Sequence, residues 1–134
     1  MNTDTVIEMI KQHEGFRGDP YIDTLGFSTI GFGTKLPLSE DEAVMILKKR
    51  LIESINTLDE LQPIFSTLPG PAQEIIANMV YQMGVRGVMN FKKMWTALSH
   101  GDYKEAAAQM RDSRWHTQTS NRAEHLALMM EELA

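Results

Sequence analysis

Val6, Ile7 and Ile10 recur at the spacing of one helix face, and the stripe stops just before Gly15, a residue type that closes helices in the left-handed conformation. A short first helix is the reading. From Phe16 to Lys35 the pattern changes: Gly18, Pro20, Gly26, Gly31 and Gly33 punctuate Tyr, Ile, Phe and Thr, which suits short strands with a turn near Asp23 to Gly26. This is the only β-like stretch in the chain. Ser39-Glu40-Asp41-Glu42 then has the form of a capping box, in which the Ser hydroxyl accepts from the amide three residues on while the Glu carboxylate reaches back. A long helix should follow, with Val44, Leu47, Leu51, Ile55 and Leu58 keeping one face buried for about five turns.

Beyond Leu61 the chain reads as a series of helices. Pro71 suits the first turn of a helix that buries Ile75, Ile76, Met79, Val80 and Met83 and is stopped by Gly84. Gly101 closes another, Asp102 with Glu105 caps a helix through Met110, and a last helix after Thr119 or Ser120 should bury Leu126, Met129, Met130 and Leu133. The ten methionines fall mostly at such positions and read as core filler. The fold class is therefore α+β and mainly α. One domain is expected over residues 1–134, with a β-rich lobe at about 15–37 and a long helix joining it to a helical lobe. A binding cleft is expected between the two.

Composition narrows the chemistry. A chain of 134 residues, 43% hydrophobic and 23% charged, suits one core of ordinary size. The absence of cysteine excludes disulfides and thiolate metal sites, and His13, His100, His116 and His125 share no ligand spacing on a helix face, so neither metal nor cofactor is expected. A net charge of −5 argues against a nucleic-acid binder. The charge is uneven, however: from Arg86 to Arg122 seven basic residues face three acidic ones, so one wall of a cleft can be locally positive. Met1 to Thr5 carry no basic region and no apolar run approaches the roughly 18 residues that span a bilayer, which sets the expectation of a cytosolic location without membrane insertion. With no apolar surface stripe, a monomer is expected.

Glu14 and Asp23 lie nine positions apart around a Gly- and Thr-rich segment, which reads as two carboxylates set across a hairpin. That is the minimum equipment for hydrolysing a glycosidic bond, one carboxyl protonating the leaving oxygen and the other activating water or attacking directly. Thr29, on a neighbouring strand, can hold a water within reach of Asp23. A general acid must keep its proton near neutral pH, so Glu14 is expected to be half-buried and Asp23 to lie in a turn open to solvent. Each also has a plainer reading: Glu14 as a helix-end charge, Asp23 as a turn former, Thr29 as an ordinary strand residue. Arg122 is a candidate ion-pair partner for the acid, or only a first-turn residue of the last helix. Tyr81 and Trp115 are candidate sugar-contacting aromatics, with a core position the alternative for Trp115. Gln82 and Gln118 offer amides suited to acetamido groups.

These residues sit in runs that resemble the phage-type lysozymes, a glycoside hydrolase family that includes the endolysins of the T-even phage. The resemblance is carried by His13-Glu14-Gly15, by Asp23-Thr24-x-Gly26-x-x-Thr29-Ile30-Gly31-x-Gly33, by Asn78-Met79-Val80-Tyr81-Gln82-Met83-Gly84, and by Ser113-Arg114-Trp115-x-x-Gln118-Thr119-x-Asn121-Arg122-Ala123. It covers nearly the whole chain, and four motifs in order are specific where one alone is weak. It implies a lysozyme-like fold and an endolysin-type muramidase that cleaves the β-1,4 bond between N-acetylmuramic acid and N-acetylglucosamine in peptidoglycan. Glu14 would be the general acid, Asp23 and Thr29 would position a water, and the anomeric centre would be inverted. Arg122 would stand beside the acid, with Gln82 and Gln118 lining the site. The resemblance also implies phage-driven host lysis, the enzyme waiting in the host cytoplasm until a holin permeabilises the membrane and then acting on periplasmic peptidoglycan.

The chain departs from the family pattern in places. Thr34 follows Gly33 where many members have His, so an ion pair made by that histidine is missing. Lys35, Met94 and Gln109 stand where members often present substrate-contacting Leu, Ser and Asn, which makes them substrate-binding candidates with altered preference. A lysozyme-like module that binds peptidoglycan or protein, with hydrolysis weak or lost, is the alternative reading.

Overall fold

The side chain of Asn2 accepts from the amide of Thr5 and opens helix α1, Thr3–Glu14, in a computed structural model that describes residues 1–133. The helix closes where expected, with the Gly15 amide returning to the Lys11 carbonyl at 3.0 Å. Three strands follow in an antiparallel sheet of order β1-β2-β3: β1, Arg17–Ile22; β2, Ser28–Gly31; β3, Thr34–Lys35. The expected hairpin thus gains a third, two-residue strand. Pro20 brings no amide proton to the ladder, and the β1–β2 register slips between Arg17 and Tyr21 before Tyr21↔Thr29 and Ile22↔Ser28 pair regularly. Thr29 pairs with Lys35 on its other side, so β2 is the central strand.

Helix α2, Glu40–Leu61, begins with the capping box read from sequence: the Ser39 amide donates to Glu42 Oε1 at 2.9 Å, and the Glu42 amide donates to Ser39 Oγ at 3.1 Å. Hydrogen bonds from the Ser39 amide and hydroxyl hold the Glu42 carboxyl below its usual range. The apolar stripe of α2 is not evenly buried, contrary to expectation. Leu58 is fully buried and Leu51 and Ile55 partly so, while Val44 and Leu47 are exposed. Burial needs a core to meet, and α2 reaches one only towards its C-terminal end, where Ile55 and Leu58 join the apolar cluster.

The chain divides into two compact units, Met1–Ile46 and Leu47–Ala134. The division falls within α2, so α1 and the first turns of α2 group with the sheet, a larger unit than the β lobe expected at 15–37. In the second unit a 3₁₀ turn, Pro63–Thr67, leads to α3, Gly70–Met89; α4, Lys92–Ser99; α5, Tyr103–Arg111; α6, Arg114–Gln118; and α7, Ser120–Glu131. The fold is mainly α with one small antiparallel sheet, as the sequence suggests.

Ile75, Ile76, Met79 and Val80 of α3 form the centre of the second unit's core, with Met94, Trp95 and Leu98 of α4, Met110 of α5 and Met130 of α7. Each large apolar side chain removed from water contributes roughly 1.5–3 kcal/mol. Ala106 and Ala107 of α5 and Ala123 and Ala127 of α7 are fully buried where these two helices pack, their small side chains letting the backbones approach. Gly84, foreseen as a helix stop, takes φ 80 and ψ 164, a conformation open to glycine, but helix resumes at once for Val85 to Met89. Gly101 closes α4 with its amide on Leu98 O and the Asp102 amide on Ala97 O, and Asp102 then caps α5 by accepting from the Glu105 amide. Glu105 does not reach back; it accepts from Gln109 Nε2 at 2.7 Å.

Two expectations for the last helix need correcting. Met129 is 37% exposed, because the buried face of α7 follows Ala123, Leu126, Ala127 and Met130, and Met129 lies beside that stripe. Leu133 lies beyond the helix and is only partly buried. Met130→Ala should therefore cost about 2–5 kcal/mol in urea unfolding, and Met129→Ala no more than about 0.5 kcal/mol.

One polar cluster joins α5, α6 and α7. Arg111 Nε donates to Glu124 Oε1 at 2.7 Å, its Nη2 donates to Glu131 at 3.0 Å, and His116 Nε2 lies 3.3 Å from Glu124 Oε2. Hydrogen bonding from Arg111, with His116 adding to it, lowers the Glu124 pKa from its ordinary value. A carboxyl lowered in the folded state stabilises above its unfolded value and loses that contribution as pH falls through the folded one. Glu124→Gln should thus lower the melting temperature at pH 7, and the gap to wild type should close as pH falls below about 4, near the carboxylate range.

Candidate active site

Glu14, Asp23, Thr29 and Lys35 lie in the first unit, and Tyr81, Gln82, Met94, Gln109, Trp115, Gln118 and Arg122 in the second; each set is built up on its own. Glu14 is the last residue of α1, where a carboxylate faces the negative end of the helix dipole, so helix stability does not explain its presence. Its carboxyl is pressed against the backbone of Gly33: a Cβ at that position would lie 2.5 Å from Glu14 Oε2 and 2.7 Å from Cδ. Gly33 also takes φ 72, a left-handed value that disfavours any other residue. The glycine between β2 and β3 therefore makes the space in which the carboxyl rests.

Asp23 is held by the turn that it builds. Its Oδ1 accepts from the amides of Leu25 at 2.9 Å and Phe27 at 2.8 Å, while its own backbone bonds Phe27 and Gly26. That leaves Oδ2 without a turn partner. Thr29 is buried, with 2% exposure, and its hydroxyl donates to Phe27 O at 2.8 Å, so towards a further ligand it can only accept. The exposures of the two acids reverse the expectation: Glu14 is exposed and Asp23 partly buried. The reason is local, since α1 buries none of its residues whereas the Asp23 side chain turns inward to satisfy two amides. Lys35 is exposed and places its ammonium 4.4 Å from the centre of the Phe27 ring.

In the second unit Trp115 takes its core alternative. It is buried, edge-on to Phe91 at 6.1 Å, and its indole N–H donates to Gln82 Oε1 at 2.9 Å. The carbonyl of Gln82 is thus committed to the fold, leaving its amide N–H groups. Arg122, in the first turn of α7, donates through Nε and Nη2 to Asn78 Oδ1 and through Nη2 to the Asn78 carbonyl, tying α7 to α3. Met94 is fully buried and packs in the core; in this position it offers no surface to a substrate. Tyr81 is exposed and lines a pocket of about 360 Å³ with Arg50, Glu53 and Gly84. Gln118, at the end of α6, is exposed. Gln109 lines a second pocket of about 450 Å³ together with Phe91, Lys92, Lys93, Arg114 and Trp115.

A family model described as phage lysozyme matches residues 11–129, a span that holds every one of these side chains. The chain belongs to the phage lysozyme family. Among curated relatives it is 28% identical to the pre-baseplate central spike protein Gp5 of Enterobacteria phage T4, over 94% of this chain but only 27% of that protein. It is 28% and 27% identical to probable T4-type lysozymes 2 and 1 of Dictyostelium discoideum, over 92% and 95% of this chain and 92% and 94% of theirs. Membership of the phage lysozyme family supports a lysozyme-like enzyme of glycoside hydrolase type.

Two residues that hold candidate side chains in place, one in each unit, escaped the reading of the sequence. Gly33 was visible as a turn glycine and as the end of a motif, but nothing in its neighbours says that Glu14 comes to rest on it. Asn78 carried no chemical signal beyond its place in a motif. The basic side chains of the larger pocket were foreshadowed by the positive excess from Arg86 to Arg122.

The turn gives Asp23 a structural role that can be tested by itself. Asp23→Asn keeps an oxygen for the two amides and should leave the urea midpoint nearly unchanged. Asp23→Ala should cost about 1–3 kcal/mol by orphaning them.

Proposed function

We propose that this protein is an endolysin-type muramidase that hydrolyses the β-1,4 bond between N-acetylmuramic acid and N-acetylglucosamine in peptidoglycan, with inversion. Glu14 gives its proton to the glycosidic oxygen as the bond to the anomeric carbon breaks. A water attacks that carbon from the opposite face, and Asp23 takes the water's proton on Oδ2, the oxygen that the turn leaves free. Thr29 spends its own proton on Phe27 O and accepts from the same water. With both hydrogens of the water drawn to acceptors, its lone pair is left to point at the sugar. Lys35, Tyr81, Gln82, Gln109, Gln118 and Arg122 are the proposed glycan contacts, and no cofactor takes part.

The observation that carries this reading is the Glu14 carboxyl seated on Gly33 in the same unit as the Asp23 turn and Thr29. Family membership supports it. The proposed setting is release of a phage from its host: synthesis in the host cytoplasm, access to the wall once the membrane is permeabilised, and action as a monomer. Among the described residues no helix is long and apolar enough to cross a membrane. The second reading, a wall-docking module with little hydrolysis, is favoured by the similarity to a relative named as a spike protein.

Clearing of purified Gram-negative peptidoglycan decides between them. Wild type should clear it, and Glu14→Gln, confirmed as folded by circular dichroism, should be slower by about 10²- to 10⁴-fold, the usual contribution of a general acid. A folded wild type that binds the wall without clearing it would establish the module instead. Gly33→Ala should lower stability by about 1–2 kcal/mol for its left-handed backbone, and should reduce clearing further than that loss explains by displacing the acid.

A further inference from the structure

Phe16 and Phe32 are large apolar side chains that the first unit leaves largely in water, 69% and 38% exposed, yet they are not scattered. Their rings meet at 5.4 Å between centres with a tilt of 51°, a favourable geometry for an aromatic pair. Phe16 follows Glu14 by two residues, and Phe32 is the neighbour of Gly33, on which the Glu14 carboxyl rests. The pair therefore ties together the two segments whose meeting seats that carboxyl. A second contact reaches the same ring from the other side of Glu14 in sequence: Lys11, three residues before it on α1, places its ammonium 5.6 Å from the centre of Phe32 while also meeting Glu8 at 3.4 Å. What the backbone supplies here is sparse. Phe32 is the only side chain between Gly31 and Gly33, which take left-handed φ values of 70 and 72. From β1 the ladder reaches this connection at Arg17↔Gly31, and the register slips just beyond that pair. Rings so exposed gain little from burial, so core packing does not account for their meeting.

We infer that the Phe16–Phe32 pair, with Lys11 over Phe32, is a clasp that holds the Glu14 carboxyl on Gly33, which makes Phe16 and Phe32 positioning residues for the general acid. The inference rests on Glu14 being the acid of the proposed hydrolysis and deepens that reading, since neither ring belongs to the residues assigned to the reaction or to the glycan. An acid on a flexible side chain at a helix end delivers its proton along one direction only if something fixes it there, and losing that orientation costs rate rather than binding. The clasp supplies the restraint from both sides of Glu14, through Lys11 before it and Phe16 after it. Because both rings lie at the surface, either can be shortened without opening a cavity in a core, so the clasp can be cut while the sheet stays folded.

The test reads the position of the carboxyl first and the rate second, on the intact chain. Replacing Glu14 by Gln should move the backbone amide resonance of Gly33 in the nuclear magnetic resonance spectrum, because the carboxyl lies against that residue. In Phe16→Leu, with the other sheet resonances in place, the same replacement should no longer move it; in Phe16→Tyr, which keeps the ring, it should. On soluble peptidoglycan fragments Phe16→Leu and Phe32→Leu are each expected to lower kcat about five- to tenfold at unchanged KM, the ratio that an aromatic pair with a cation over it can supply. Phe16→Tyr should keep the wild-type rate, and the Phe16→Leu/Phe32→Leu double variant should be no slower than either single one. Adding Phe16→Leu to Glu14→Gln should cost nothing further, since the acid through which the clasp acts is gone; a ring that merely supports the fold would slow that variant too. Should Phe32→Leu unfold the sheet, its lost resonances show it and the Phe16 variants decide. A Gly33 response that is absent in wild type or survives in Phe16→Leu, or a loss of rate undiminished in Glu14→Gln, would overturn the inference. If cutting the clasp abolishes the response while folded wild type hydrolyses nothing, the glycosidase reading falls and the seating stands. Hydrolysis by wild type with a response that survives has the opposite meaning.

Discussion

A side chain at the end of one helix can rest on a strand connection only where the backbone beneath it carries nothing. Gly33 meets that condition for Glu14, and most of the first unit serves to make the meeting repeatable. Asn2 and Gly15 fix where α1 begins and ends, so the carboxyl emerges at a set position. The central strand β2 pairs on both sides, which fixes Thr29 relative to Tyr21 and Lys35 and sets the connection that contains Gly33. The Asp23 turn is closed by its own carboxylate, so the second acid is immobilised by the same hydrogen bonds that define the hairpin. The unit is small, and Thr29 is its one buried side chain; its order comes from backbone pairing and polar turns more than from apolar burial.

The second unit follows a different economy. Its apolar mass gathers on α3, and its polar groups are drawn back to the same helix: Trp115 to Gln82, Arg122 to Asn78, and the Trp95 indole to the Val88 carbonyl. Among the described residues no buried side-chain polar atom lacks a partner. Each such bond commits a donor or acceptor to the fold. The groups that remain open include the amide N–H pair of Gln82, the exposed ring of Tyr81, the exposed amide of Gln118 and the cations around the larger pocket. The proposed glycan contacts of this unit therefore fall largely to groups that architecture does not need.

The helices and their stops were legible because capping is local. Ser39 with Glu42, Asp102 before α5, Gly101 after α4 and Gly84 within α3 all act through bonds to residues close in sequence. Burial was less legible, since it depends on what packs opposite. Val44 and Leu47 share a stripe with Leu58 yet are exposed, and Met129 sits one step from the buried face of α7. Of the candidate residues, the types and order of Glu14, Asp23 and Thr29 suggested the chemistry proposed for them. Their surroundings did not follow: the contact between Glu14 and Gly33, separated by nineteen positions, and the exposures of the two acids depend on a fold that spacing alone does not specify. Trp115 shows the same limit, because an aromatic in a motif reads equally as ligand or core until Gln82 is seen beneath its indole.

Both tryptophans, Trp95 and Trp115, belong to the second unit, and both are buried with their indole N–H groups bonded. Intrinsic tryptophan fluorescence thus reports on the helical unit alone, while the unit that carries Glu14 and Asp23 is optically silent at the same wavelengths. A fluorescence melt set beside the thermal loss of activity separates the fates of the two halves without any added label. If activity fades while the emission is still native, the acids come apart before the helices do, and the protein's working lifetime is set by its smaller, hydrogen-bonded part.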